Sequence, residues 1–382
     1  MGEVVRLQTP AGEPAASAPS PATRRAACGR AQPSKTALVL GGGGVTGAVY
    51  EIGALRALDL LSVNRSVTDF DVYVGTSAGA FVAAAVANGI APEEMMRVLA
   101  GQAPTPFPDL DLGTVLALNV RDLARSAITF PFQAARLTWR VLGRLGQVSA
   151  LDVVLGLAEG MPAGFYSGAG IERYVRDVLE APGRTNDFRA LRRALLVTAT
   201  DLDTGERVVF GARGLDDVPI STAVRASAAL PMVYAPVRVG DRDLVDGGIV
   251  STTNLDLAVE AGARLVVVVN PLVPYVASAA GEERPRRRIA EMGFPHVGYQ
   301  TFKLMAHGRL HEVKREWERR YPGVDIVLIE PDPGDELMFR TGIMDYAARV
   351  RIAKHGFRSV TARLARDYER LRRVAARHGI EI

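Results

Sequence analysis

Three stretches of this chain run from a short apolar or strand-like segment straight into a glycine-bearing turn. That pattern limits the fold more than any other feature. Thr36-Ala37-Leu38-Val39-Leu40 passes directly into Gly41-Gly42-Gly43-Gly44, and the strand read at 70–74 passes into Gly75-Thr76-Ser77-Ala78-Gly79. A strand-like run at 243–245 passes into Asp246-Gly247-Gly248. Apolar strands without polar alternation are buried on both faces, which is the condition of a parallel sheet covered by helices. Helical segments alternate with them: an alanine-rich one at 45–61, a small-residue one at 78–88 closed by Asn88-Gly89, and another at 221–229. Further strands are expected at 194–199, 207–210, 233–239, 265–269 and 326–329. The fold class is therefore α/β with a mainly parallel central sheet. The pattern does not specify strand order.

Composition excludes several alternatives. With 382 residues, 48% of them hydrophobic, the chain can bury a sizeable core. No stretch approaches the roughly 20 uninterrupted apolar residues that a membrane-spanning helix needs. Cys28 is the only cysteine, so neither an intrachain disulfide nor a cysteine-based metal cluster can form. Residues 1–34 are rich in Ala, Pro, Ser and Gly and lack apolar periodicity, so a disordered tail is expected there. Its Arg24-Arg25 pair is not followed by an apolar segment, so no export signal is read. The expected setting is the cytoplasm, with peripheral contact at a membrane.

One folded domain is expected over 35–382, with an insertion at 104–164 and C-terminal helices over 286–378. The insertion carries Arg136, Arg140 and Arg144 at four-residue spacing, along one helix face, among Phe132, Leu137, Trp139, Val141, Leu142 and Leu145. Between 121 and 146 there are five arginines and a single acid, Asp122. Such a segment is either packed on the sheet with a solvated arginine face or a basic amphipathic lid that meets anionic lipid. A helix is expected near 345–377. Its arginines come without a nucleic-acid motif or interleaved aromatics, so no nucleic-acid partner is expected.

The three glycine-bearing turns carry the chemistry. Gly42-Gly43-Gly44-Val45-Thr46-Gly47 contains a G-x-G-x-x-G string between a strand and a helix, which also fits a dinucleotide loop. The dinucleotide reading wants an acid at the tip of the following strand; that tip carries Ser77. Consecutive glycines can instead turn several N–H groups toward an oxyanion. Gly75-Thr76-Ser77-Ala78-Gly79 fits G-x-S-x-G, in which small neighbours let a sharp strand-to-helix turn expose a serine hydroxyl. Asp246, stripped of bulky neighbours by Gly247 and Gly248, can act as general base for Ser77. Together these segments point to an acyl hydrolase with a Ser–Asp pair.

In order and spacing the segments resemble the patatin-like phospholipase family, over about 36–270. Ala226-Ser227-Ala228-Ala229-Leu230-Pro231 with Tyr234-Ala235-Pro236 is similar to that family's stretch ahead of the aspartate. The resemblance implies a three-layer α/β/α sandwich and a Ser77–Asp246 dyad without histidine. It further implies an oxyanion hole at Gly42, Gly43 and Gly44, lipid acyl esters as substrates, and no cofactor. Two positions depart from the family pattern: Thr46 stands where an Arg or Lys is usual, and Asn254 lies further behind the aspartate motif.

A triad of Ser77, Asp246 and His296 would follow the chain order of α/β-hydrolases and is the variant to exclude. His307 and His311, four residues apart, lack a third ligand in the sequence, so no metal is expected. The competing class is a non-catalytic lipid-binding or scaffolding protein that keeps the fold.

Overall fold

The computed structural model describes residues 34–102, 107, 117–143, 149, 161–277 and 288–382. The expected N-terminal tail, and much of the 104–164 insertion including Arg144, lie outside the described residues. The elements run β1 (Thr36–Leu40), α1 (Gly44–Leu61), β2 (Val72–Thr76), α2 (Ala78–Ala87), α3 (Pro92–Leu99) and α4 (Val120–Gly143). Next come β3 (Gly164–Tyr166), α5 (Ala169–Leu179), β4 (Ala194–Asp201), β5 (Arg207–Phe210) and α6 (Ile220–Ser227). Three short strands follow, β6 (Met232–Tyr234), β7 (Val237–Val239) and β8 (Arg242–Asp246), then α7 (Leu255–Glu260) and β9 (Leu265–Val269). The chain continues through α8 (Phe294–Arg320), β10 (Asp325–Ile329), α9 (Glu336–Arg340), α10 (Arg349–Arg366) and α11 (Tyr368–Arg377).

The central sheet has the order β10-β9-β1-β2-β4-β8-β7, with β5 also paired to β4. Its first five strands are mutually parallel; β8 and β5 run antiparallel to β4, and β7 antiparallel to β8. Side chains alternate between two cores, as the two-residue period of a strand requires. Ala37, Val39, Val72, Val74, Val266 and Val268 pack with α7 and Leu310 of α8 on one face. Leu38, Leu40, Tyr73 and Val269 pack with α1, α2 and α10 on the other. The fold is thus an α/β/α sandwich around a mostly parallel sheet, as expected.

Two local expectations are corrected. The single strand read over 233–239 is two strands in different sheets, since β6 joins β3 while β7 joins β8. Pro236 lies between them and has no N–H to continue a ladder. The helix read over 345–377 is interrupted at Asp367, which separates α10 from α11. The strand expected at 326–329 is present as the edge strand β10, Asp325–Ile329, beside β9.

Candidate active site

β2 delivers Ser77 to a turn between strand and helix, and α2 starts at the next residue. Ser77 has φ 55 and ψ −128, a conformation that costs free energy in a non-glycine residue. Its N–H is held by Ser227 Oγ at 2.8 Å. The glycines on either side of Ser77 answer to close approach. A Cβ on Gly75 would lie 2.5 Å from Ala80 Cα, and one on Gly79 would lie 2.4 Å from the Gly41 carbonyl oxygen. With both absent, the start of α2 seats directly on the end of β1, and its N-terminal partial positive charge falls beside Ser77.

β8 brings Asp246 alongside β4, where it pairs with Ala199. Ser77 Oγ donates to Asp246 Oδ2 at 2.6 Å, and the Gly248 N–H donates to Oδ1 at 2.7 Å. Asp246 is 4% exposed. Burial pushes its carboxyl up to about 6, although the bonds from Ser77 and Gly248 pull the other way. Its backbone is fixed as well: the Asp246 N–H donates to the Ala229 carbonyl at 3.0 Å, and Thr200 Oγ1 donates to the Asp246 carbonyl at 3.0 Å.

The glycine turn lies against Ser77, since a Cβ on Gly42 would be 3.2 Å from Ser77 Cβ. Here the geometry refines the sequence reading. The Gly42 N–H donates to the Thr252 carbonyl at 2.9 Å and is already committed. Among the described residues no acceptor takes the N–H of Gly43 or Gly44. Thr46 is buried; its hydroxyl donates to the Gly342 carbonyl at 2.6 Å and its N–H to the Ile343 carbonyl at 3.2 Å. Where the family usually carries a cation, this chain clamps the first turn of α1 to 342–343. In the same helix Glu51 is fully buried, and burial holds its carboxyl well above the usual carboxylate range.

Sequence reading missed two supporting residues. Ser227, which holds the Ser77 amide, sits in the Ala226–Pro231 stretch, where only its polarity among alanines hinted at a task. Asn254, in the left-handed conformation with φ 47, donates through Nδ2 toward Thr76 Oγ1 (2.9 Å), Thr198 Oγ1 (3.1 Å) and the Ser251 carbonyl (2.7 Å). Its Oδ1 accepts from Arg207 at 3.0 Å. Asn254 thereby ties the strand end before Ser77 to β4 and to the segment after Asp246.

Ser77, Asp246, Gly42, Gly43 and Gly44 line one cavity of about 210 Å³. Its remaining wall is mostly apolar, with Ile52, Phe81, Met95, Leu99, Val175 and Val224 among the lining residues. None of the histidines hydrogen-bonds to Ser77 or Asp246 among the described residues. His355 pairs with Asp335, His378 with Asp325, and His307 and His311 with Glu330, while His296 Nδ1 is buried without a partner. The His296 triad therefore has no geometric basis.

Comparison with known proteins identifies the family. The uncharacterized protein YqhO of Bacillus subtilis (strain 168) is 25% identical over 289 residues, spanning 72% of this chain and 83% of that protein. Among solved structures, VipD from Legionella pneumophila is 13% identical with a TM-score of 0.35, the match covering 87% of this chain and 67% of that one. Full-length ExoU from the Pseudomonas aeruginosa type III secretion system, solved with SpcU, is 16% identical with a TM-score of 0.34, covering 87% and 52%. Human GIVD cytosolic phospholipase A2 is 12% identical with a TM-score of 0.33, covering 91% and 60%. The chain thus spans between about half and two-thirds of those solved chains. The family model described as patatin-like phospholipase matches residues 38–259, more than half of the chain. Both Ser77 and Asp246 fall within that match, and the chain belongs to the patatin-like phospholipase family.

Proposed function

We propose that the protein is a lipid acyl hydrolase working through an acyl-enzyme on Ser77, with Asp246 as general base. Family membership supports lipid hydrolase activity in general. The observation that carries the finer reading is the 2.6 Å bond from Ser77 Oγ to Asp246 Oδ2 on the wall of an apolar cavity. A lipid acyl chain fills such a cavity and leaves its ester carbon at Ser77. As Oγ attacks, its proton passes to Oδ2, and the carbonyl oxygen becomes an oxyanion. The N–H groups of Gly43 and Gly44 are the donors open to that oxygen, with the N-terminus of α2 adding its dipole. Collapse of the tetrahedral adduct expels the alcohol, which leaves with the proton held by Asp246. The regenerated carboxylate then activates a water, and a second tetrahedral adduct releases the fatty acid and free Ser77.

Labelling with a fluorophosphonate probe tests this reading, because such reagents trap an activated serine without needing the right substrate. Wild type should label, Ser77→Ala should not, and Asp246→Ala should label far more slowly. A folded wild type that refuses the probe would favour the non-catalytic lipid binder.

The position of Asp246 also predicts a pH profile. A base must be ionised to accept a proton, and burial has lifted this carboxyl to about 6. Hydrolysis of a soluble ester should therefore be flat at neutral pH and fall below about pH 6, approaching tenfold per unit. A profile that stays flat down to pH 4.5 would contradict Asp246 as the base.

Peripheral membrane contact through α4 is part of the same proposal. Among the described residues no helix is long and apolar enough to cross a membrane. On α4, however, Ile128, Phe132 and Trp139 are 69%, 75% and 76% exposed, and their spacing puts them on one helix face. Arg136 is exposed on the same helix. Large apolar side chains beside a cation suit the headgroup boundary of an anionic bilayer. In sedimentation with phosphatidylglycerol vesicles, the double change Phe132→Ser and Trp139→Ser should cut binding by at least about tenfold. Cleavage of a short soluble ester should be retained. Unchanged vesicle binding would remove α4 from the membrane contact.

A further inference from the structure

The sequence offered two histidines without a third ligand; the fold supplies one. Glu330 follows directly after β10 and is buried, with its carboxylate turned toward α8. His311 Nε2 lies 3.2 Å from Glu330 Oε2, His307 Nε2 lies 3.5 Å from Oε1, and the two Nε2 atoms are 3.0 Å apart. All of these donor atoms fall within 4.8 Å of one another. Metal–ligand bonds of about 2.0–2.1 Å in a tetrahedral array set neighbouring donors roughly 3.3–3.4 Å apart, so the spacing is that of a first coordination shell. One proton between the imidazoles satisfies a single edge of this triangle. A divalent cation satisfies all three.

The carboxylate is also prepared from behind. Asn270 Nδ2 donates to Glu330 Oε1 at 2.8 Å, and the Asn270 N–H donates to the Ile329 carbonyl at 2.9 Å. Arg363 donates to the Glu330 backbone carbonyl at 2.8 Å and not to its carboxylate. Ligating carboxylates carry outer hydrogen bonds of this kind, which fix their orientation. The cluster is separate from the Ser77–Asp246 pair, although Asn270 links it to the cavity wall. Pro271 abuts Gly43 and Gly47, and Leu272 lines the cavity.

We infer that His307, His311 and Glu330 bind a zinc-class divalent cation that fastens α8 to the end of β10. Two imidazoles and one carboxylate select zinc, cobalt or nickel over calcium, which prefers an all-oxygen shell. The inference does not depend on the proposed hydrolase activity.

The test uses full-length protein freed of metal with a chelator and then titrated with zinc, following binding by calorimetry. Cobalt is titrated in parallel by its visible ligand-field absorption. Wild type should take up one equivalent of zinc and melt at a higher temperature with zinc than without, with a millimolar excess of calcium making no difference. The double variant His307→Ala, His311→Ala should lose the cobalt band and the zinc-dependent rise in melting temperature. Asn270→Ala should weaken zinc binding by about 10- to 100-fold. Glu330→Gln keeps a hydrogen-bonding partner for Asn270 and covers the case in which the histidine variant fails to fold; it should also bind more weakly by at least about tenfold. Failure of wild type to bind one equivalent, or zinc binding unaltered in these variants, would overturn the assignment.

Discussion

Asp246→Asn should lower kcat/KM for a soluble ester by about four orders of magnitude, the scale seen when the buried acid of a serine-protease triad is amidated. The same variant should be at least as stable as wild type. An asparagine keeps the shape of the carboxylate and can still accept the Gly248 N–H, but it cannot take the proton of Ser77. The stability effect follows from the position of the carboxyl. Folding lifts it from 3.8 to about 6, so the native state holds this proton more tightly than the unfolded chain does. The resulting stabilisation is complete below about pH 4 and is lost as pH rises through about 6, an amount on the order of 3 kcal/mol. Asparagine never ionises and escapes that loss. Thermal melts should therefore place the variant above wild type at pH 8, with the gap narrowing toward pH 4.5. If activity stayed within tenfold of wild type, Asp246 would not be the base.

The second large effect is mechanical. Gly79→Ala should cost about 3 kcal/mol in urea unfolding and abolish fluorophosphonate labelling. The added methyl would sit 2.4 Å from the Gly41 carbonyl oxygen and 2.7 Å from the Leu40 carbonyl. That backbone cannot yield easily, because Leu40 is paired with strands on both sides and the Gly41 N–H is bonded to the Val269 carbonyl at 3.0 Å. The start of α2 must retreat instead, and Ser77 retreats with it. Gly298→Ala serves as the control: that position lies in α8, and a Cβ there meets nothing within 4 Å. It should be neutral or stabilising by up to about 1 kcal/mol. A cost for Gly79→Ala no larger than that of the control would show that the docking of α2 tolerates adjustment.

What the sequence revealed was local, and what it hid was contact between distant segments. Ser77 and Asp246 were legible because each stands at a strand end beside glycines that leave its side chain uncovered. The commitment of the Gly42 amide was not legible, because its acceptor, Thr252, lies far along the chain and offers only a backbone carbonyl. The roles of Thr46 and Asn254 were hidden for the same reason: residues that looked like departures from a motif proved to be fastened to 342–343 and to Thr76 and Thr198. Glu330 carried no signal beyond being an acid after an apolar strand. The interruption at Asp367 has neither glycine nor proline to announce it.

The bond between Ser77 and Asp246 spans 169 positions of sequence, and it crosses the sheet where parallel pairing gives way to antiparallel. β2 and α2 set the turn at Ser77, but the Ser227 hydroxyl that holds its amide and the Asp246 carboxylate that accepts from its hydroxyl arrive only when α6 and β8 dock. Such long-range closure comes late, because the loop entropy must be overcome before the contact rewards it. On the proposed mechanism, a chain cut anywhere before Asp246 carries Ser77 without the carboxylate that takes its proton. By the same mechanism, ester hydrolysis reports completed topology and is absent from chains in which β8 has not docked on β4.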